Sequence, residues 1–200
     1  MRGAPMKYIL TNEVRKVKPR KGKQVVLYRI RATRNFTTYS FKRKIRFKDD
    51  KRTIVYEIEE KLVKAGDPGG FVQSEKNLSQ KGSCWIDDEA YAFGSAVVRD
   101  DAYLGGKARI GDNVKLLDNT KVVDNIQLGG NNKLTGRSKA IGEGIYYDNG
   151  TYNNVCLGKI EVKAPSEKTN KKSKDPSNSS GKIKIEIQLG GKKIVNDFEF

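Results

Sequence analysis

The chain has 200 residues, 36% apolar and 32% charged, with 40 basic against 24 acidic side chains and a net charge of +16. No run approaches the roughly 20 apolar residues that a membrane-spanning helix requires, and Met1-Arg-Gly-Ala-Pro5 lacks the apolar core of a secretion signal. Histidine is absent, which removes imidazole as a base and as a metal ligand, and two cysteines, Cys84 and Cys156, cannot build a disulfide framework.

The charge is unevenly placed. Residues 1–66 hold 20 basic and 6 acidic side chains, a balance of +14, whereas residues 85–142 hold eight of each. A localised excess of this kind points to a polyanion site. Residues 1–66 are expected to form a basic N-terminal β domain. Within it, Arg15, Lys16, Lys18, Arg20, Lys21 and Lys23 cluster around Pro19 as a loop. A strand over residues 25–31 is expected to set Arg29 and Arg31 on one face and Tyr28 and Ile30 on the other. Residues 37–62 read as an inserted hairpin. Tyr39, Phe41, Ile45 and Phe47 alternate there with the cations Lys42, Lys44, Arg46 and Lys48, and Ile54, Tyr56 and Ile58 alternate on the return.

Residues 67–84 are expected to lead into a repeat with a period of six. One series runs Ala90, Ala96, Ala102, Ala108, Val114, Thr120 and Ile126. A second, two places later, runs Ala92, Val98, Leu104, Ile110, Leu116, Val122, Leu128, Leu134 and Ala140. Positions i and i+2 of a pleated strand share a face, so both series point inward. Between them stand Asp or Gly: Asp100, Gly106, Asp112, Asp118, Asp124, Gly130, Gly136 and Gly142. These are turn residues that tolerate left-handed backbone angles. A strand and a turn in every six residues, repeated three times, closes a triangular coil of 18 residues. The segment 85–142 then supplies about three coils of an all-β parallel helix with a continuous apolar column.

Beyond it, residues 143–163 lose the phase and read as a cap. Residues 164–181, rich in Lys, Ser, Asn and Pro, read as a linker. Residues 182–200 alternate as a hairpin around Gly190-Gly191, and a hairpin with one apolar face must pack on the N-terminal sheet, a neighbouring subunit or another protein.

The segment Ile110-Gly-Asp-Asn-Val-Lys115 resembles the hexapeptide repeat of left-handed parallel β-helix proteins. Val63-Lys-Ala-Gly-Asp-Pro-Gly-Gly-Phe-Val72 and Asn77-Leu-Ser-Gln-Lys-Gly-Ser-Cys-Trp-Ile86 resemble a family of uncharacterised hexapeptide-repeat proteins of bacteria and phages that carry a transferase label. The resemblance covers residues 63–142 well and 7–36 loosely. It implies the left hand of the coil and assembly through a flat face, as a dimer or trimer, but no established activity. In those relatives only a few residues join the segment ending near Phe36 to the Lys-x-Gly-x-x-Gly-Gly motif. Here about two dozen intervene.

Acyltransferases of this architecture generally use a histidine base, and the β-helical carbonic anhydrases hold zinc with three histidines; neither chemistry fits a chain without histidine. Cys84 falls in the small-residue phase and reads as a packed thiol. Asp87-Asp88 and Asp100-Asp101 fall at corners and read as turn residues. No catalytic residue, metal or cofactor is therefore expected. The charge and the missing histidines point instead to a non-enzymatic binding protein, and the resemblance implies a phage or mobile-element protein in the bacterial cytoplasm. Its expected role is anti-CRISPR-like, inhibiting a host nucleic-acid-handling defence complex by contact with nucleic acid or an acidic protein surface. The expected contacts are Arg15, Lys16, Lys18, Arg20, Lys21, Lys23, Arg29, Arg31, Lys42, Lys44, Arg46 and Lys48. The alternatives are a structural or oligomerisation module and, more remotely, an acyltransferase.

Overall fold

The computed structural model describes residues 5–20, 22–48, 51–157, 182–189 and 192–199, with side chains described between residues 5 and 40, except 21, and between 59 and 157. The six-residue period becomes a β-solenoid with three faces of stacked parallel strands. Numbered in chain order, the first face stacks β5 (Pro68–Val72), β7 (Tyr91–Ala92), β10 (Arg109–Ile110), β13 (Asn125–Leu128) and β16 (Glu143–Tyr146). The second holds β8 (Val97–Val98), β11 (Lys115–Leu116), β14 (Lys133–Thr135) and β17 (Thr151–Asn153). The third holds β6 (Trp85–Ile86), β9 (Tyr103–Leu104), β12 (Lys121–Val122), β15 (Lys139–Ala140) and β18 (Cys156–Leu157). Arg109 lies opposite Tyr91 and Gln127, and Lys115 opposite Val97 and Lys133, the 18-residue step that three sixes require.

Both inward series are buried as the spacing demands. Ala90, Ala92, Val98, Leu104, Ile110, Leu116 and Val122 have no exposed surface. At the corners Asp88, Asp100, Asp112, Asp118 and Asp124 adopt positive φ between 52° and 66°. Aspartate tolerates this region because its short side chain bonds to nearby backbone. Here that bond runs to the next coil: Asp112 Oδ2 accepts from Gly130 N at 2.8 Å, and Asp118 Oδ2 from Gly136 N at 2.8 Å.

The solenoid is longer than the three coils expected over 85–142, making about five turns. β5 and a bridge from Leu78 to Val98 open it, and β16, β17 and β18 close it. The last coil escapes the period because its inward phase is lost and one residue is missing: Cys156, not residue 157, lies opposite Lys139. Residues 143–157 of the segment expected as a cap are thus built as a further coil, and residues 158–163 lie outside the described residues.

Before the solenoid, β1 (Tyr8–Val17) and β2 (Val25–Ala32) pair antiparallel, and β2 pairs antiparallel with β5. The order β1-β2-β5-β7-β10-β13-β16 is one continuous sheet, so the domain boundary expected at residue 66 falls inside a hydrogen-bonded face. A register shift between Arg29 and Arg31 breaks the alternation expected for β2. Leu27 and Ile30 are both fully buried, whereas Tyr28 is 37% exposed. Tyr28 therefore does not share the buried face with Ile30.

β3 (Phe36–Lys48) and β4 (Lys51–Val63) match the expected hairpin strands. Their first and last residues lie against the third face, where Phe36 meets Trp85 edge-on at 5.2 Å and Lys61 pairs with Asp87. The chain divides into two units, residues 1–40 with 59–160 and residues 41–58 with 161–200. The second carries a four-stranded sheet in the order β20-β19-β4-β3, with β19 (Lys182–Leu189) and β20 (Lys192–Glu199) antiparallel. β19 runs parallel to β4, placing Glu186 opposite Val55 and Ile187 opposite Tyr56. The C-terminal hairpin thus joins the inserted strands.

Candidate functional site

The cations expected to meet a ligand divide by what they touch. Arg29 Nε donates to Glu13 Oε1 at 2.7 Å, its Nη1 to the Gly69 carbonyl at 2.7 Å, and its Nη2 lies 3.5 Å from Glu89 Oε1. Arg15 pairs with the other oxygen of Glu89. Both guanidiniums stack on the Phe71 ring, at 4.0 Å for Arg15 and 4.2 Å for Arg29. The hydrogen bond from Arg15, with the charge of Arg29 adding to it, holds the Glu89 carboxyl below its ordinary range. Arg15 and Arg29 are thereby engaged in clamping β1 and β2 to the start of the solenoid.

The rest are differently placed. Arg31 is exposed and donates to the Gly66 carbonyl at 2.9 Å. Lys16, Lys18, Arg20 and Lys23 are exposed, and among the described residues no carboxylate pairs with them. Lys21 lies outside the described residues. Lys42, Lys44, Arg46 and Lys48 sit on β3, and their side chains also lie outside the described residues.

Lys18 and Arg20 reach a feature that the charge count does not show. Residues 17–20 form one wall of a groove of about 470 Å³ over the first face, lined also by Tyr91, Phe93, Arg109, Gln127, Leu128, Ile145 and Tyr147. Its floor follows from the 18-residue step. Phe93, Gly111, Gly129 and Tyr147 occupy one column, with aromatics at the ends and glycines between. A Cβ on Gly111 would come within 2.2 Å of the Phe93 ring, and one on Gly129 within 2.2 Å of the Tyr147 ring. Each ring therefore extends over the neighbouring glycine of the column, Phe93 over Gly111 and Tyr147 over Gly129. Tyr91 stands 6.1 Å from Phe93, and the Arg20 guanidinium lies 5.0 Å over Tyr147.

In the neighbouring column Arg109 is half-buried. Its Nε is shielded from solvent without an acceptor among the described residues. An unpaired buried donor of this kind typically costs about 1–3 kcal/mol. The lining includes three cations and no carboxylate. Such a groove can stack a flat ring on its floor and bind an anion at its rim.

Cys84 and the pairs Asp87-Asp88 and Asp100-Asp101 have structural partners. Cys84 is buried, and burial raises its thiol above the ordinary range, although Lys7 opposes this. Lys7 Nζ donates to the Cys84 carbonyl at 2.9 Å and lies 3.2 Å from its Sγ. Asp87 accepts from the Tyr103 hydroxyl at 2.9 Å, and Asp101 from the Ser83 hydroxyl at 2.7 Å. Asp88 and Asp100 accept backbone N–H groups from the next coil. No protein-family model matches the chain, and no curated protein is detectably similar to it in sequence.

Proposed function

We propose that the protein is a non-enzymatic binding protein, a left-handed solenoid stem whose basic N-terminal front contacts nucleic acid. One observation carries this reading. Lys18 and Arg20 wall the aromatic groove, Lys16 and Lys23 flank them in the chain, and no carboxylate among the described residues neutralises the four. Phosphates fit such a cluster, because each contact releases condensed counterions and needs no base-specific geometry. The partners found for Cys84, Asp87, Asp88, Asp100 and Asp101 support a scaffold role for the side chains that could otherwise suggest catalysis.

The family resemblance supplies the setting: a phage or mobile-element protein that inhibits a host nucleic-acid-handling defence complex in the bacterial cytoplasm by contacting its guide or target strand. The test is fluorescence anisotropy with labelled DNA and RNA at about 50 mM salt, repeated at about 200 mM. Binding that weakens steeply with salt is expected. Absence of binding to either polymer at the lower salt would overturn the reading.

A further inference from the structure

From the groove's floor we infer that the ligand is single-stranded nucleic acid, held with an unstacked base lying on Phe93 and Tyr147 and its phosphate between Arg20 and Arg109. This rests on the proposed nucleic-acid function and specifies its ligand. A surface that met only phosphates would need cations alone. Here the cations border three aromatic side chains, two of which have room over the column's glycines at 111 and 129.

Each base presents a face to such a platform whatever its sequence, but a base inside a duplex has both faces covered by its neighbours. The volume, about 470 Å³, lies in the range of pockets that enclose one small ligand and suits a single nucleotide unit. Arg20 stacks on Tyr147 in the free protein, so a base that lies on this ring takes the guanidinium's place and leaves it beside the base for the phosphate. Arg109 contributes a half-buried guanidinium whose Nε has no acceptor among the described residues. Gln127, between Arg109 and Ile145 in the ladder, offers an amide to a base edge.

The experiment compares a labelled single strand of about 12 nucleotides with a duplex of the same length, for the wild type and for Phe93→Ala/Tyr147→Ala, with Lys23→Ser as a variant outside the groove lining. The wild type should prefer the single strand by about tenfold or more. The double variant should lose about tenfold or more toward the single strand and little toward the duplex. Lys23→Ser should weaken both alike. Equal wild-type affinity for single strand and duplex would overturn the inference and leave the proposed function standing. No binding to either would overturn both. A second readout is independent of the variants' folding: a 4-thiouridine strand photo-cross-linked to the wild type should attach at Tyr91, Phe93 or Tyr147. Attachment confined to other residues would also overturn it.

Discussion

Lys121 shows how an ionisable side chain can sit inside this fold at a cost. It is 2% exposed on the third face, where Nζ donates to the Asp101 carbonyl at 2.6 Å and lies 6.0 Å from the Tyr39 ring. Burial lowers its pKa from 10.5 to about 8; the Asp101 charge opposes this and Lys139 adds to it. Below pH 8 the folded protein carries a buried ammonium. Between pH 8 and 10.5 the unfolded chain binds more protons at this site, so stability rises with pH there. The contribution is at most roughly 3 kcal/mol. Lys121→Met should raise the melting temperature at pH 7 and reduce the gain between pH 8 and 10. Lys7 and Lys139, whose pKa burial also lowers, add to the gain. The thiols of Cys84 and Cys156, whose pKa burial raises, oppose it above pH 9, so the test is the difference between the two proteins' profiles. Thermal melts across that range check this, and identical pH profiles for both proteins would contradict it.

At the scale of elements, stability depends on inward columns in which each residue is stacked between counterparts 18 positions away. Leu116 sits in the middle of its column, between Val98 and Leu134. Leu116→Asp would bury a carboxylate with no partner, a change worth several kcal/mol. We expect loss of the cooperative unfolding transition by circular dichroism; an unchanged melt would refute the inward assignment.

These columns were legible because three sixes return every inward residue to one line. The bulge in β2 was not, since it arises from the register against β5, which no local pattern encodes. The first and last coils escaped for a related reason. Gly69 and Gly70 pass so close to Ile30, Trp85 and Ala90 that no side chain fits there, and the last coil drops a residue. Half of the groove was visible in the charge run that holds Lys18 and Arg20. Arg109 was hidden in a segment of balanced charge, and Phe93 and Tyr147 stand far apart in the chain. The 18-residue column Phe93, Gly111, Gly129, Tyr147 carried the signal that joins them.

For the whole molecule, the charge is divided along the sequence, balanced over residues 85–142 and in excess over residues 1–66. Residues 85–142 carry eight cations and eight anions, and their corner aspartates are turned to backbone N–H groups. Residues 1–66 carry +14, and among the described N-terminal cations Arg15, Arg29 and Lys61 are engaged in carboxylate pairs. The most direct measurement is the slope of log affinity against log salt for a single strand, in the wild type and in Lys16→Ser/Lys18→Ser/Lys23→Ser. With about 0.7 counterions released per phosphate contact, the triple variant should be shallower by about 2, with an unchanged melting temperature. Equal slopes in the two proteins, or affinity indifferent to salt, would contradict a front that works through these cations.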